Sequence, residues 1–151
     1  MDQHEPAAGI SGQQFKVRRR VAFHKTDAAG IVHFATYFVW MEQAEHALLR
    51  HLGIGIFMEL EGVQVSWPRV SAQCDFQNPL HFEDEFEVLV QVSHLGNSSV
   101  RYRFDFSRAG DPIATGYTTA VCCRLHPRPA SVTIPPDIRS AFSPFLHPEV
   151  N

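Results

Sequence analysis

Asp27 stands in a run of mostly small residues, Thr26-Asp27-Ala28-Ala29-Gly30-Ile31-Val32-His33-Phe34, that leads directly into a segment of helical periodicity. Gly30 allows the unusual backbone angle that a tight turn needs. The first N–H groups of a helix have no partner within it and carry a partial positive charge. A carbonyl oxygen held there is polarised, and a developing oxyanion is stabilised. A carboxylate a few residues upstream can then attack the same carbonyl carbon, or hold a water that does. The plain alternative is an Asp that caps or shapes the turn. Other chemistry is less well supplied. The nine His form no HxxxH or HxH pair, and although Cys122, Cys123 and His126 are close in sequence, neighbours on a strand point to opposite faces, so no metal site is expected. Cys122 and Cys123 sit mid-strand, where packing is the simpler role than a thiolate nucleophile. Glu42 and Glu45 lie on the helix.

The elements that position Asp27 are legible from periodicity. Phe15, Val17, Arg19, Val21 and Phe23 alternate with Lys16, Arg18, Arg20 and Ala22, a half-buried strand with Arg18 and Arg20 on one face and Arg19 on the other. From Ala35 to Leu52 the spacing is helical, with Phe34, Phe38, Met41, Leu48 and Leu52 on one stripe, Gln43, His46 and Arg50 on another, and glycine from Gly53 ending the element. A short helical turn is expected around Phe57 to Leu60. A strand begins at Val63, is interrupted at Pro68, which implies a bulge or an edge position, and continues to Phe76. Phe86 to Val92, Val100 to Phe106 and Ile113 to Leu125 supply three more strands, with a hairpin at Gly96-Asn97. The order predicts an α+β fold, a five-stranded antiparallel sheet against one long helix. One helix covers one side of such a sheet, so the other face meets solvent or a second subunit.

The chain has 151 residues, 44% hydrophobic and 11% aromatic with twelve Phe, but only 19% charged. That composition supports one globular domain with a sizeable core, and it excludes disorder and coiled coil for most of the length. Charged residues fall below the roughly 25% usual for soluble domains, so apolar surface is expected in a subunit interface or ligand channel. Net charge is -3, from 13 basic and 16 acidic residues, which gives no footprint for nucleic acid or an anionic membrane. No apolar run approaches the ~18 residues of a membrane span. Residues 1–12 read as a flexible lead without signal-peptide features, 13–126 as the folded domain and 127–151 as a Pro-rich tail with one helical turn near Ile138 to Phe142. Three cysteines without a CxxC pair or disulfide framework fit a reducing cytoplasm.

Thr26 to Tyr37, running into a helix, resembles the signature of the 4-hydroxybenzoyl-CoA thioesterase family of hot-dog-fold acyl-CoA thioesterases: Asp, two small residues often ending in Gly, two aliphatics, two aromatic or His positions, a small residue, Asn or Thr, then Tyr. Asp75-Phe76 with Asn78-Pro79 and the Leu95-Gly96-Asn97-Ser98-Ser99 hairpin also fall where that family places theirs, so the resemblance covers Phe15 to Leu125. It implies a hot-dog fold, hydrolysis of an acyl-CoA thioester without metal or redox cofactor, and a homodimer or dimer of dimers. Asp27 then matches the family's catalytic carboxylate, as nucleophile or general base. Phe34 matches the residue whose backbone N–H polarises the thioester carbonyl, with Gly30 shaping the approach. Many members carry Tyr-His where this chain has His33-Phe34, so the histidine is displaced by one residue; His33 stays a candidate participant beside the reading of an ordinary surface or interface histidine.

Tyr37, Trp40, Met41 and Trp67 are the candidates for an acyl pocket suited to an aromatic or short to medium acyl group. Ser98, Ser99, Arg101, Arg124 and Arg128 are candidates for holding the CoA nucleotide. In another hot-dog branch a helical Glu is catalytic, which the Asp in the turn makes second choice. The rival functions are a hot-dog hydratase or dehydratase of acyl thioesters, and a non-catalytic module that binds CoA or an acyl carrier.

Overall fold

The computed structural model describes residues 13–149; the expected N-terminal lead lies outside them. Alternation in sequence becomes alternation in burial. In β5 (Glu85–Leu95) Phe86, Val88, Val90 and Val92 point inward, and in β6 (Ser99–Arg108) Val100, Tyr102, Phe104 and Phe106 do the same. These two strands form the centre of a five-stranded antiparallel sheet with β1 (Phe15–Arg20), β7 (Asp111–Val121) and β4 (Arg69–Phe76), in the order β1-β5-β6-β7-β4. Helix α1 (Thr36–Leu52) lies across the inner face with Trp40, Met41, Ala44, Leu48 and Leu49 buried, and ends at left-handed Gly53. Each large apolar side chain so buried contributes about 1.5–3 kcal/mol. Among the described residues no helix is long and apolar enough to cross a membrane.

Helix and sheet meet closely at Gly116 of β7, where an added Cβ would sit 2.6 Å from Met41 Sδ. On the outer face, Arg18 pairs with Glu87 at 2.8 Å and Arg20 with Glu85 at 2.5 Å, whereas Arg19 turns inward and its Nε and Nη2 are buried without a partner among the described residues. The three consecutive arginines are thus divided as the pleat dictates.

Four expectations need correction. Phe57 to Leu60 is not helical: β2 (Met58–Leu60) pairs with β3 (Val63–Ser66) through Glu61-Gly62, both at positive φ, the turn that matches hairpin twist. The strand expected from Val63 to Phe76 is two strands in two sheets, because the chain changes direction at Trp67-Pro68; β4 is an edge strand with a register shift between Arg69 and Ser71, the alternative that Pro68 implied. The last strand is likewise divided at Cys122. β7 stops at Val121, and β8 (Cys123–Arg124) joins β2, β3 and β9 (Ala130–Ser131) in a small second sheet. Phe34, placed on the apolar stripe, is 61% exposed because it precedes the helix. In the Pro-rich segment, α2 (Pro136–Phe142) and a following tight turn bring Ile134, Ile138, Phe142 and Phe145 into the core.

Candidate active site

Thr26 and Val32 form an isolated antiparallel bridge, and the loop between them is closed by its own hydrogen bonds. The Asp27 N–H donates to Ile31 O (2.9 Å), the Gly30 N–H to Asp27 O (3.0 Å) and the Ala29 N–H to Asp27 Oδ1 (2.9 Å). Gly30 has φ +79 with open space around it, so the turn requires its backbone freedom and not its size. Asp27 is exposed, and among the described residues its Oδ2 has no partner. The carboxylate is therefore oriented through one oxygen and free through the other, as a nucleophile or base requires.

The loop is tied to the body at two points, Val32 N–H to Leu80 O and His33 N–H to Lys25 O, both 2.9 Å. Beyond them the chain tightens into α1. Thr36 N–H donates to His33 O (2.9 Å), Tyr37 N–H to Phe34 O (3.4 Å), Phe38 N–H to Ala35 O (3.2 Å), and Ala35 N–H to the His33 side chain at Nδ1 (3.2 Å). From Val32 to Phe38, the Phe34 amide alone has no acceptor among the described residues. The turn that holds the Asp27 carboxylate thus leads to an unpaired donor at the positive end of a 17-residue helix. An oxyanion-forming carbonyl needs these two groups.

The candidate acyl-pocket residues separate. Tyr37 is buried next to this turn, with its ring 5.0 Å from Phe76 on the edge strand and 5.3 Å from Phe106. Burial pushes its hydroxyl up to about 12, against a hydrogen bond from the Leu80 backbone, so it is a neutral donor and acceptor at ordinary pH. Trp40 packs on Phe86 at 4.5 Å and Met41 sits over Gly116, both deep in the core. Trp67 is near Phe142, and its buried Nε1 has no partner among the described residues.

The candidate nucleotide contacts lie apart from Asp27 within the chain. Arg20, at the Asp27 end, pairs with Glu85 at the start of the 11-residue strand β5, while Ser98 and Ser99 follow its other end. Ten rises of about 3.3 Å make that roughly 30 Å. Arg101 lies over the Tyr117 ring at 4.5 Å on the outer face, and Arg124 and Arg128 are exposed beyond β7. A depression of about 660 Å³ on that outer face, lined by Arg18, Arg20, Glu85, Glu87 and Arg108 among others, includes none of the residues singled out for chemistry.

One cluster escaped the sequence reading. Glu45, one turn beyond Met41, is 1% exposed, and its Oε2 makes a short contact with Arg69 Nη2 of β4 while its Oε1 is buried without a partner among the described residues. Arg69 Nη2 is also 3.4 Å from His46 Nε2. Burial raises the Glu45 carboxyl, opposed by Arg69, and desolvation lowers His46. The available signal was a carboxylate three residues before Leu48 on the apolar stripe. Glu42, by contrast, is exposed. Among the described residues, no three His, Cys, Asp or Glu side chains gather where they could hold a metal ion.

A long helix laid along a five-stranded antiparallel sheet, with an Asp-bearing turn at the helix start, is the hot-dog fold. The profile of the Thioesterase-like superfamily matches residues 21–142, and the chain belongs to that family. A 1,4-dihydroxy-2-naphthoyl-CoA hydrolase of Synechococcus elongatus is 32% identical over 119 residues, covering 78% of this chain and 87% of the relative. The crystal structure of a gentisyl-coenzyme A thioesterase superposes with a TM-score of 0.74 at 34% identity, covering 84% of this chain and 98% of that one. A 4-hydroxybenzoyl CoA thioesterase, at 17% identity, shares the fold with a TM-score of 0.73 over 85% of this chain and 98% of its own.

Proposed function

We propose that this protein hydrolyses the thioester of an acyl-CoA, releasing the carboxylic acid and the free CoA thiol. The observation that carries the reading is a half-anchored Asp27 carboxylate on a closed turn, followed where that turn enters α1 by the unpaired Phe34 amide. Asp27 attacks the carbonyl carbon directly, leaving an acyl anhydride for water to open, or takes a proton from the attacking water. In either case the carbonyl oxygen becomes an oxyanion, which the Phe34 N–H and the helix dipole stabilise. Tyr37 lines the acyl side. Relatives named for dihydroxynaphthoyl- and gentisyl-CoA favour an aromatic acyl group.

A second copy of the chain belongs to the proposal. Among the described residues strand β4 has no partner along its outer edge of eight residues, with Val70 66% and Phe76 49% exposed; Pro68 and the bulge guard only its start, and the rest of such an edge is a template for pairing with another strand. A partner also brings Ser98, Ser99, Arg101, Arg124 and Arg128, far from Asp27 within one protomer, to the neighbouring site.

The test is thiol release across a panel of aromatic and aliphatic acyl-CoA substrates, with Asp27→Asn as control. Asparagine keeps an oxygen for the Ala29 N–H and so keeps the loop. The expected result is a loss of about 10²-fold or more in kcat at unchanged melting temperature. An unchanged kcat overturns the mechanism. Tight CoA binding without thiol release by the wild type, or crotonyl-CoA hydration in its place, overturns the activity.

A further inference from the structure

We propose that His33 is a positioning residue which, as a neutral imidazole, caps the Ala35 amide and leaves the Phe34 amide as the single donor open to the thioester oxygen. This role rests on the thioesterase reading above. His33 touches three strands of the local hydrogen-bond network at once: its N–H donates to Lys25 O, its C=O accepts from Thr36 N–H, and its Nδ1 accepts from Ala35 N–H at 3.2 Å. Its ring also stacks on the exposed Phe34 ring, with centroids 4.7 Å apart and planes 27° apart. Side-chain caps of helices are usually Ser, Thr, Asn or Asp; here Ala35 and Thr36 begin the helix, and the preceding histidine supplies the acceptor.

The chemistry of the ring follows from that bond. A nitrogen that accepts an N–H carries no proton, so the other nitrogen of neutral imidazole, Nε2, carries it. Both ring nitrogens are then engaged, Nδ1 by the Ala35 amide and Nε2 by its own proton. In this state His33 has no basic nitrogen to offer a water or a substrate, and general-base work stays with Asp27. What His33 contributes is selection between two adjacent amides. With the cap present, Ala35 N–H is occupied and the thioester oxygen meets Phe34 N–H alone. Without it, two donors compete and the turn loses the side chain that ties residue 33 to residue 35. The displaced histidine of this sequence thereby gains a task distinct from acid–base catalysis.

The experiment compares wild type, His33→Ala and His33→Asn by steady-state thiol release and by NMR. Asparagine cannot act as a base, but its Oδ1 can accept an amide N–H in the same way. His33→Ala is expected to lose about tenfold in kcat, less than removal of a whole oxyanion donor, with KM nearly constant, and His33→Asn to recover to within about threefold of wild type. In the wild type, 15N shifts are expected to show a proton on Nε2 and none on Nδ1, and the Ala35 amide is expected to exchange faster in His33→Ala than in His33→Asn. Equal, large losses in both variants would show a base and overturn the role. Wild-type activity in His33→Ala, or a proton on Nδ1, would overturn it as well, and the wild-type 15N result decides the role even where a variant is too unstable to assay. Absence of thiol release in the wild type would overturn the thioesterase reading and with it this role.

Discussion

Glu45 and Arg69 pose the sharpest energetic question at the scale of single residues, because an ionised carboxylate that is 1% exposed is tolerated only through its partner. Arg69→Leu leaves that carboxylate buried and uncompensated, and is expected to destabilise the fold by about 3–5 kcal/mol in urea denaturation near neutral pH. Replacing both residues by Leu removes charge and partner together, so the double variant is expected to recover most of the loss. The pH dependence has a definite sign. Burial raises the Glu45 carboxyl above its ordinary 4.5, so its favourable contribution is complete below that value and is lost as pH rises through the higher folded one. Without Arg69, which opposes the rise, the loss extends to higher pH. The deficit of Arg69→Leu is therefore expected to be small near about pH 4 and to grow toward about pH 7. A deficit independent of pH would mean that Arg69 acts by packing alone.

Elements with a long, regular period were legible in the sequence, and those held by distant partners were not. β1, α1, β5 and β6 follow the apolar spacing because each buries one face along its whole length. The small sheet of β2, β3, β8 and β9 has strands of two to four residues, too short for a period to show, and its two local pairs are joined only where β3 meets β8 across more than fifty positions. Prolines in the last segment masked Ile134, Ile138, Phe142 and Phe145, whose burial depends on α2 closing the end of the core. In the candidate site, the Asp27 turn was legible because Gly30 and the helix start are local signals. The Glu45 to Arg69 contact was not, since it joins α1 to an edge strand 24 positions away. Gly116 shows how α1 is seated. A methyl group there would lie 2.6 Å from Met41 Sδ, 2.7 Å from its Cε and 3.3 Å from Gln73 O. Met41 is fully buried and has little space to move into, so Gly116→Ala is expected to cost about 1–3 kcal/mol. Combined with Met41→Ala, the cost in thermal or urea unfolding should fall short of the sum of the two single changes. Strict additivity would place the strain elsewhere.

At the scale of the whole molecule, the Phe-rich, charge-poor composition divides in two. Phe15, Phe86, Phe104, Phe106, Phe142 and Phe145 fill the core, while Phe23, Phe34, Phe57, Phe76 and Phe82 are 49% to 80% exposed. The outer sheet face does not account for them, since it carries Arg18, Arg20, Glu85, Glu87, Arg103 and Asp105 in ion pairs. The edge at β4 combines an unpaired strand, a bulge at Val70, the exposed ring of Phe76 beside Tyr37, and Arg69 anchored to the helix. Lysine on an edge is a common natural guard against pairing, so Val70→Lys is the direct probe of association here. The expected outcome is a shift to monomer in sedimentation with the melting temperature of the protomer little changed, since Val70 is 66% exposed. Thiol release should fall with it, by about 10²-fold, because Asp27 and Phe34 would then face a substrate whose nucleotide is no longer held from the neighbouring subunit. Activity that survives in a true monomer would show that the CoA contacts come from the same protomer. Activity lost in an unchanged dimer would move the effect of Val70 from association to the acyl channel beside Tyr37.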